Sequence, residues 1–164
     1  VKSAIVGKQT NKKGLVMRVL AGFLVLLVCS SASADGVTVH LGGWSPGRTY
    51  EGQIDGWEPN TSHELIAVTY RGLMVGRFKN SYYQDTHVIA KTFNVWSGGH
   101  LEANIMAGAM YGYSHCYSGE YHPPGEPARW CPALLPELVY TRWRVQPVLS
   151  MFGSIPVAAI RVQF

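Results

Sequence analysis

From position 37 onward, apolar and polar residues alternate with a period of two, the spacing of half-buried strands. Val37, Val39 and Leu41 fall on one face of a first strand, Val37 to Trp44, with Thr38, His40 and Trp44 on the other. Ser45 to Ser62 is rich in Gly, Pro and Asn and reads as a long loop. A second strand, Glu64 to Tyr70, turns at Arg71-Gly72 into a third, Leu73 to Ser81. A short loop over Tyr82 to Asp85 leads to the fourth, Thr86 to Trp96, and Ser97-Gly98-Gly99 makes a tight turn. The fifth strand is the clearest: Leu101, Ala103, Ile105, Ala107, Ala109, Tyr111 and Tyr113 alternate with Glu102, Asn104, Met106, Gly108, Met110 and Gly112. After a loop over Ser114 to Pro132 come Leu134 to Thr141, Val145 to Phe152 and, past Gly153-Ser154, Pro156 to Phe164.

Which face is wet decides the class. On the last strand Pro156, Ala158, Ile160, Val162 and Phe164 share an apolar face, while Val157, Ala159, Arg161 and Gln163 share the other. The fifth strand sets Glu102 and Asn104 against an equally apolar face. A soluble barrel would carry its polar residues outside. Charges on the face that also holds small residues imply the reverse, a polar lumen inside an apolar wall. The pattern therefore predicts an all-β fold: an eight-stranded antiparallel up-and-down transmembrane β-barrel. Its tight turns lie at the end with both termini and its longer loops at the other. Aromatic residues near strand ends (Trp44, Tyr82, Tyr83, Trp96, Tyr111, Tyr113, Tyr140, Trp143) suit girdles at the membrane interfaces. Pro136 and Pro147 interrupt the sixth and seventh strands, which implies a bulge or a local opening in the wall.

Such a barrel needs export. Met17-Arg18, the apolar run Val19 to Val28 and Ala32-Ser33-Ala34 form the three parts of a secretory signal peptide, and Asp35 is the expected mature N-terminus. The apolar run is shorter than the roughly 20 residues of a spanning helix. Residues 1–34 are thus read as an extension plus signal, with translation starting at Met17, and 35–164 as the barrel domain. Cys29 follows Val28 rather than the small residue a lipoprotein signal needs.

Removing this segment changes the charge. The chain carries 14 Lys+Arg and 10 Asp+Glu, but Lys2, Lys8, Lys12, Lys13 and Arg18 all precede residue 35, and every acidic residue follows residue 34. Nine basic residues against ten acidic ones leave the barrel at −1, which removes the basis for nucleic-acid binding. Export also exposes Cys116 and Cys131 to an oxidising compartment, where they are expected to pair. A zinc site from His115, Cys116, His122 and Cys131 is the competing reading of those cysteines.

The residues with chemical potential are Thr38-Val39-His40 on the first strand and Phe78-Lys79-Asn80-Ser81-Tyr82 at the outer end of the third. With Leu134-Leu135-Pro136 and the terminal Val162-Gln163-Phe164, these stretches resemble the outer-membrane lipid A palmitoyltransferases. That family consists of eight-stranded barrels with a lumenal hydrocarbon pocket that move a palmitoyl chain from a phospholipid to lipid A. Its Thr-Trp-His, Phe-Lys-Asp-Ser-Trp, Leu-Leu-Pro and Phe-Gln-Phe correspond to the four stretches. The family's amphipathic helix before the first strand has no expected counterpart, since only Asp35 and Gly36 stand between the signal and that strand.

The resemblance implies catalytic roles for His40, Asn80 and Ser81. Asn80 stands where the family has Asp. A hydroxyl nucleophile needs a base, and an imidazole serves. A carboxylate stabilises the charged imidazole, which a neutral amide does not. An amide still donates to an oxygen that gains charge. On this reading a carboxylate restored at position 80 raises activity. His63, at the start of the second strand, is an alternative base. The partners implied are membrane lipids, phospholipid and lipopolysaccharide, approached by a monomer that uses no cofactor or metal. The competing function is a non-enzymatic surface barrel whose outer loops bind a partner or shield the cell. A pore fits poorly, because Met106, Met110, Glu102 and Arg161 would fill so narrow a lumen.

Overall fold

A computed structural model describes residues 36–47, 56–116 and 126–164. The expected signal peptide, Cys29, Asp35 and His122 lie outside these residues. Eight strands follow in chain order: β1 (Val37–Trp44), β2 (Ser62–Tyr70), β3 (Leu73–Lys79), β4 (Asp85–Gly98), β5 (Leu101–Tyr113), β6 (Arg129–Tyr140), β7 (Val145–Phe152) and β8 (Ile155–Gln163). Each pairs antiparallel with its neighbours and β8 returns to β1, so the sheet closes into a barrel. At the turn end, the turns after β2, β4 and β6 gather with Val37, whose carbonyl accepts from the Phe164 amide at 2.9 Å. The connections after β1, β3, β5 and β7 form the loop end.

Several strand limits move by one or two residues from the sequence reading, and two differences bear on the site. β3 stops at Lys79, so Ser81 lies in the following turn rather than in the strand. β6 begins at Arg129 instead of Leu134, because β5 runs to Tyr113 and carries its partner along, through Ala109↔Pro132 to Tyr113↔Arg129. The Cys116–Cys131 disulfide, with Cα atoms 5.3 Å apart, ties the end of this extension to the chain leaving β5.

Alternation sorts the faces. Ile66, Val68, Val75, Ile89, Leu134 and Leu149 point outward. At the turn end they are flanked by Tyr70, Trp96 and Trp143, and at the loop end by Trp44, Tyr83, Tyr111 and Trp130. Ala67, Met74, Val88, Ala90, Met106, Met110 and Ala133 pack inward as the core. Nearer the turn end the lumen is polar. Arg161 reaches Glu102 at 2.8 Å and Glu137 at 3.7 Å, Asn104 donates to Glu137 at 3.2 Å, and Asn94 donates to Asn104 at 3.0 Å. Gln146 links Arg161 to Gln163. The expected lumenal set Glu102, Asn104, Arg161 and Gln163 therefore forms one network. A buried charge is tolerated when it is paired in this way.

Two bulges at the loop end reset the alternation. The register of β1 shifts between Gly42 and Trp44 against β2, and between Leu41 and Trp44 against β8. Gly42 and Gly43 both take positive φ, +89° and +93°, which glycine allows at little cost. The shift turns Trp44 outward, away from the His40 face assigned to it by simple alternation, and brings Ser45 inward. On β5 the register slips at Gly112 (φ +143°), and Tyr113 enters the lumen to stack on Phe152 with ring centroids 5.8 Å apart. Tyr113 is thus not part of an outer girdle.

The ladder between β6 and β7 is short. It holds three pairs among the described residues: Glu137↔Ser150, Leu138↔Leu149 and Val139↔Val148. The next positions in this register would set Pro136 against Met151 and Tyr140 against Pro147, so a proline stops the ladder on each side. Proline removes the donor that pairing needs. Toward the loop end β6 remains paired with β5, and β7 with β8, while β6 and β7 are not paired with each other past Glu137↔Ser150. Of the two outcomes that Pro136 and Pro147 implied, no bulge is found here, and the ladder is interrupted at both prolines.

Candidate functional site

The inward faces at the loop end enclose a chamber of about 100 Å³. Met74, Met106, Met110, Leu135, Val148 and Val157 make its apolar wall, and His40 and Glu137 lie at its floor. Ser45, His63, Ser81 and Tyr113 ring its mouth. Methionine gives this wall an adaptable shape, since its side chain is unbranched. Leu135 and Phe152 line the chamber and lie on the unpaired stretch between β6 and β7. A second, polar chamber of about 260 Å³ lies at the turn end, lined by Thr38, Thr69, Glu102, Asn104 and Arg161. The Arg161–Glu137 contact lies between the two.

The structure brings His40 and Ser81 to the same chamber at different heights. His40 is 5% exposed, pairs with Ala67 on one side and Arg161 on the other, and its Nε2 is 3.0 Å from Thr69 Oγ1. The approach of Arg161 and Gln163 to the His40 strand follows the expected closure of β8 on β1, with Thr38 opposite Gln163.

Asn80 is placed differently. It has no exposed surface and does not line the chamber. Its Oδ1 accepts from the Tyr82 and Gln84 amides at 2.9 and 3.0 Å, and its Nδ2 donates to the Gly112 carbonyl at 3.0 Å. An Asn side chain offers two acceptor sites and two donors, and here three of the four are engaged by backbone. The first two bonds are an Asx-type turn, which is why this residue type ends the strand. The third fastens that turn to the Gly112 bulge. Asn60, also buried, supports the same turn: its amide donates to the Ser81 carbonyl at 2.9 Å, and its Nδ2 donates to the Asn80 carbonyl at 3.2 Å. The two asparagines hold the backbone of Lys79-Asn80-Ser81 in place at the mouth.

That backbone supports a second histidine. His63 Nδ1 is 2.9 Å from the Lys79 carbonyl, and His63 Nε2 is 2.7 Å from Ser45 Oγ. Both side chains reach the chamber. Gly43 makes room for them: a Cβ there would come within 3.1 Å of the His63 Cβ. Opposite Gly43, Glu64 adopts φ +48°, a conformation seldom taken by a residue with a side chain, which marks the distortion that accommodates the pair. His63 was legible as an alternative base. Ser45 was not, since plain alternation ends β1 with Trp44 inside and leaves Ser45 in the loop; the adjacent Gly42-Gly43 pair was the signal for the shift.

The expected Cys116–Cys131 bond is present, so the zinc reading loses both of its thiolates. Among the described residues no cluster of His, Cys, Asp and Glu has the makings of a metal site. No protein-family model and no curated protein matches the chain.

Proposed function

We propose that the chain is an exported outer-membrane barrel that takes the acyl chain of a membrane lipid into its loop-end chamber and transfers it from phospholipid to lipid A, as a monomer and without a cofactor. The observation that carries this reading is the interrupted β6–β7 ladder beside a methionine-lined chamber. A hydrocarbon chain held in the bilayer would reach that chamber sideways without crossing the polar loops. The outward apolar side chains between two aromatic belts, with the ion network inside, support insertion in a bilayer. Serine and histidine side chains at the mouth supply groups suited to acyl-ester chemistry.

The test is mass spectrometry of lipid A from cells with and without the protein. Acyl transfer adds the mass of one fatty acyl group. An unchanged profile, with the barrel present in the membrane, sinks the enzymatic reading. The second reading, a non-enzymatic surface barrel, is favoured by one observation: Asn80 is given over to backbone hydrogen bonds.

A further inference from the structure

The geometry points to Ser45 and His63 as a nucleophile–base pair for acyl esters at the chamber mouth. This inference rests on the acyl-chain reading above and names the residues that would perform its chemistry.

The hydrogen bonds fix the protonation pattern. A carbonyl only accepts, so the 2.9 Å contact with the Lys79 oxygen places the proton of neutral His63 on Nδ1. Nε2 then carries the lone pair, and Ser45 Oγ, 2.7 Å away, donates to it. Nucleophile, base and an orienting acceptor stand in line, which is the arrangement that activates a serine hydroxyl. The orienting group is a main-chain carbonyl beside Asn80, the residue on which this turn is fastened. His40 is differently placed, with its contact to the Thr69 hydroxyl.

The reaction balances without any further group. Ser45 Oγ attacks the carbonyl carbon of an ester whose acyl chain lies in the chamber, and its proton passes to His63 Nε2. The Lys79 carbonyl remains bonded to Nδ1–H and steadies the imidazolium. Cleavage of the bond to the alcohol oxygen releases the alcohol, which takes the proton from Nε2 and leaves an acyl-Ser45. An incoming hydroxyl, from water or from an acceptor sugar, gives its proton to Nε2 and attacks the acyl carbon. Ser45 departs with that proton. Water yields a free fatty acid and a sugar hydroxyl yields the transferred ester.

The probe is hexadecyl fluorophosphonate on the full barrel in detergent micelles, with fluoride as the leaving group and the adduct mapped by peptide mass spectrometry. The expected adduct is on Ser45. His63→Gln should slow labelling on the order of 100-fold, with folding checked by the shift in gel migration on boiling. Mapping on the unaltered chain does not depend on any variant folding. An adduct on Ser81 or elsewhere, or none, overturns the pair. Binding of a fluorescent sixteen-carbon fatty acid separates this from the acyl-chain reading. Binding without a Ser45 adduct overturns the pair and leaves that reading standing. Labelling of Ser45 by a short ethyl fluorophosphonate without fatty-acid binding supports the pair and removes the acyl chain as its substrate.

Discussion

The side-chain amide of Asn80 donates to the Gly112 carbonyl at 3.0 Å, joining the turn after β3 to the bulge of β5. Asn80→Asp is therefore expected to have the opposite consequence to the one its position in the Phe78–Tyr82 stretch suggests. A carboxylate keeps the two bonds accepted from Tyr82 and Gln84 but loses the donation, and it sets charge against a carbonyl oxygen where no surface is exposed. Leaving such a buried group unsatisfied costs about 1–3 kcal/mol, more when it is charged. The urea midpoint of the refolded barrel should fall, and acyl transfer should not rise. A variant with higher activity and unchanged midpoint would return Asn80 to the catalytic set.

Val68 faces outward at mid-strand in the row Val68, Val75 and Ile89. In a bilayer, Val68→Arg should cost about 2–4 kcal/mol, the range for a basic side chain near the midplane of a barrel wall. In water the same exposed substitution should stay within about 0.5 kcal/mol. Urea titration from lipid vesicles distinguishes the two, and the smaller value would mean that this face is not in lipid.

The disulfide closes a sequence separation of 15 residues. Chain-entropy arguments give roughly 3 kcal/mol for a loop of this size. Cys116→Ser with Cys131→Ser should lower the unfolding free energy by about that amount, and hydrogen exchange should speed up first at Arg129 to Ala133. The β4–β5 ladder should keep its protection. Uniform loss across the barrel would show that the bond supports the whole wall.

The β6–β7 seam is testable by closing it. Pro136 and Met151 would face each other in the next register position, so Pro136→Cys with Met151→Cys should oxidise to a bridge across the unpaired stretch. Fatty-acid binding should drop at least tenfold in the bridged form. Uptake unchanged by the bridge would locate the route of access elsewhere.

Strand order, lumen content and the disulfide were legible because each depends on local chemistry. The alternation of Glu102 and Asn104 with Ala103 and Ile105 decides a face, and the positions of Pro136 and Pro147 decide where a ladder stops. The site was less legible because it depends on parity after a bulge. Gly42-Gly43 and Gly112 each add a residue to their strand, and everything beyond them changes sides: Ser45 and Tyr113 come in, Trp44 goes out. The Asn80 position illustrates the same limit. Motif position suggested chemistry, while its partner at Gly112, 32 residues away, could be found only by folding the chain.

The contact between Arg161 and Glu137 makes the loop-end chamber a cul-de-sac. A guest that settles on that floor has no through-passage toward the turn end and must retreat by the route it took. In a bilayer, donor and acceptor would then be drawn from a single leaflet and would have to take turns. If the proposed transfer holds, the molecule would work as a one-sided exchanger, and its product would surface where its substrate was gathered.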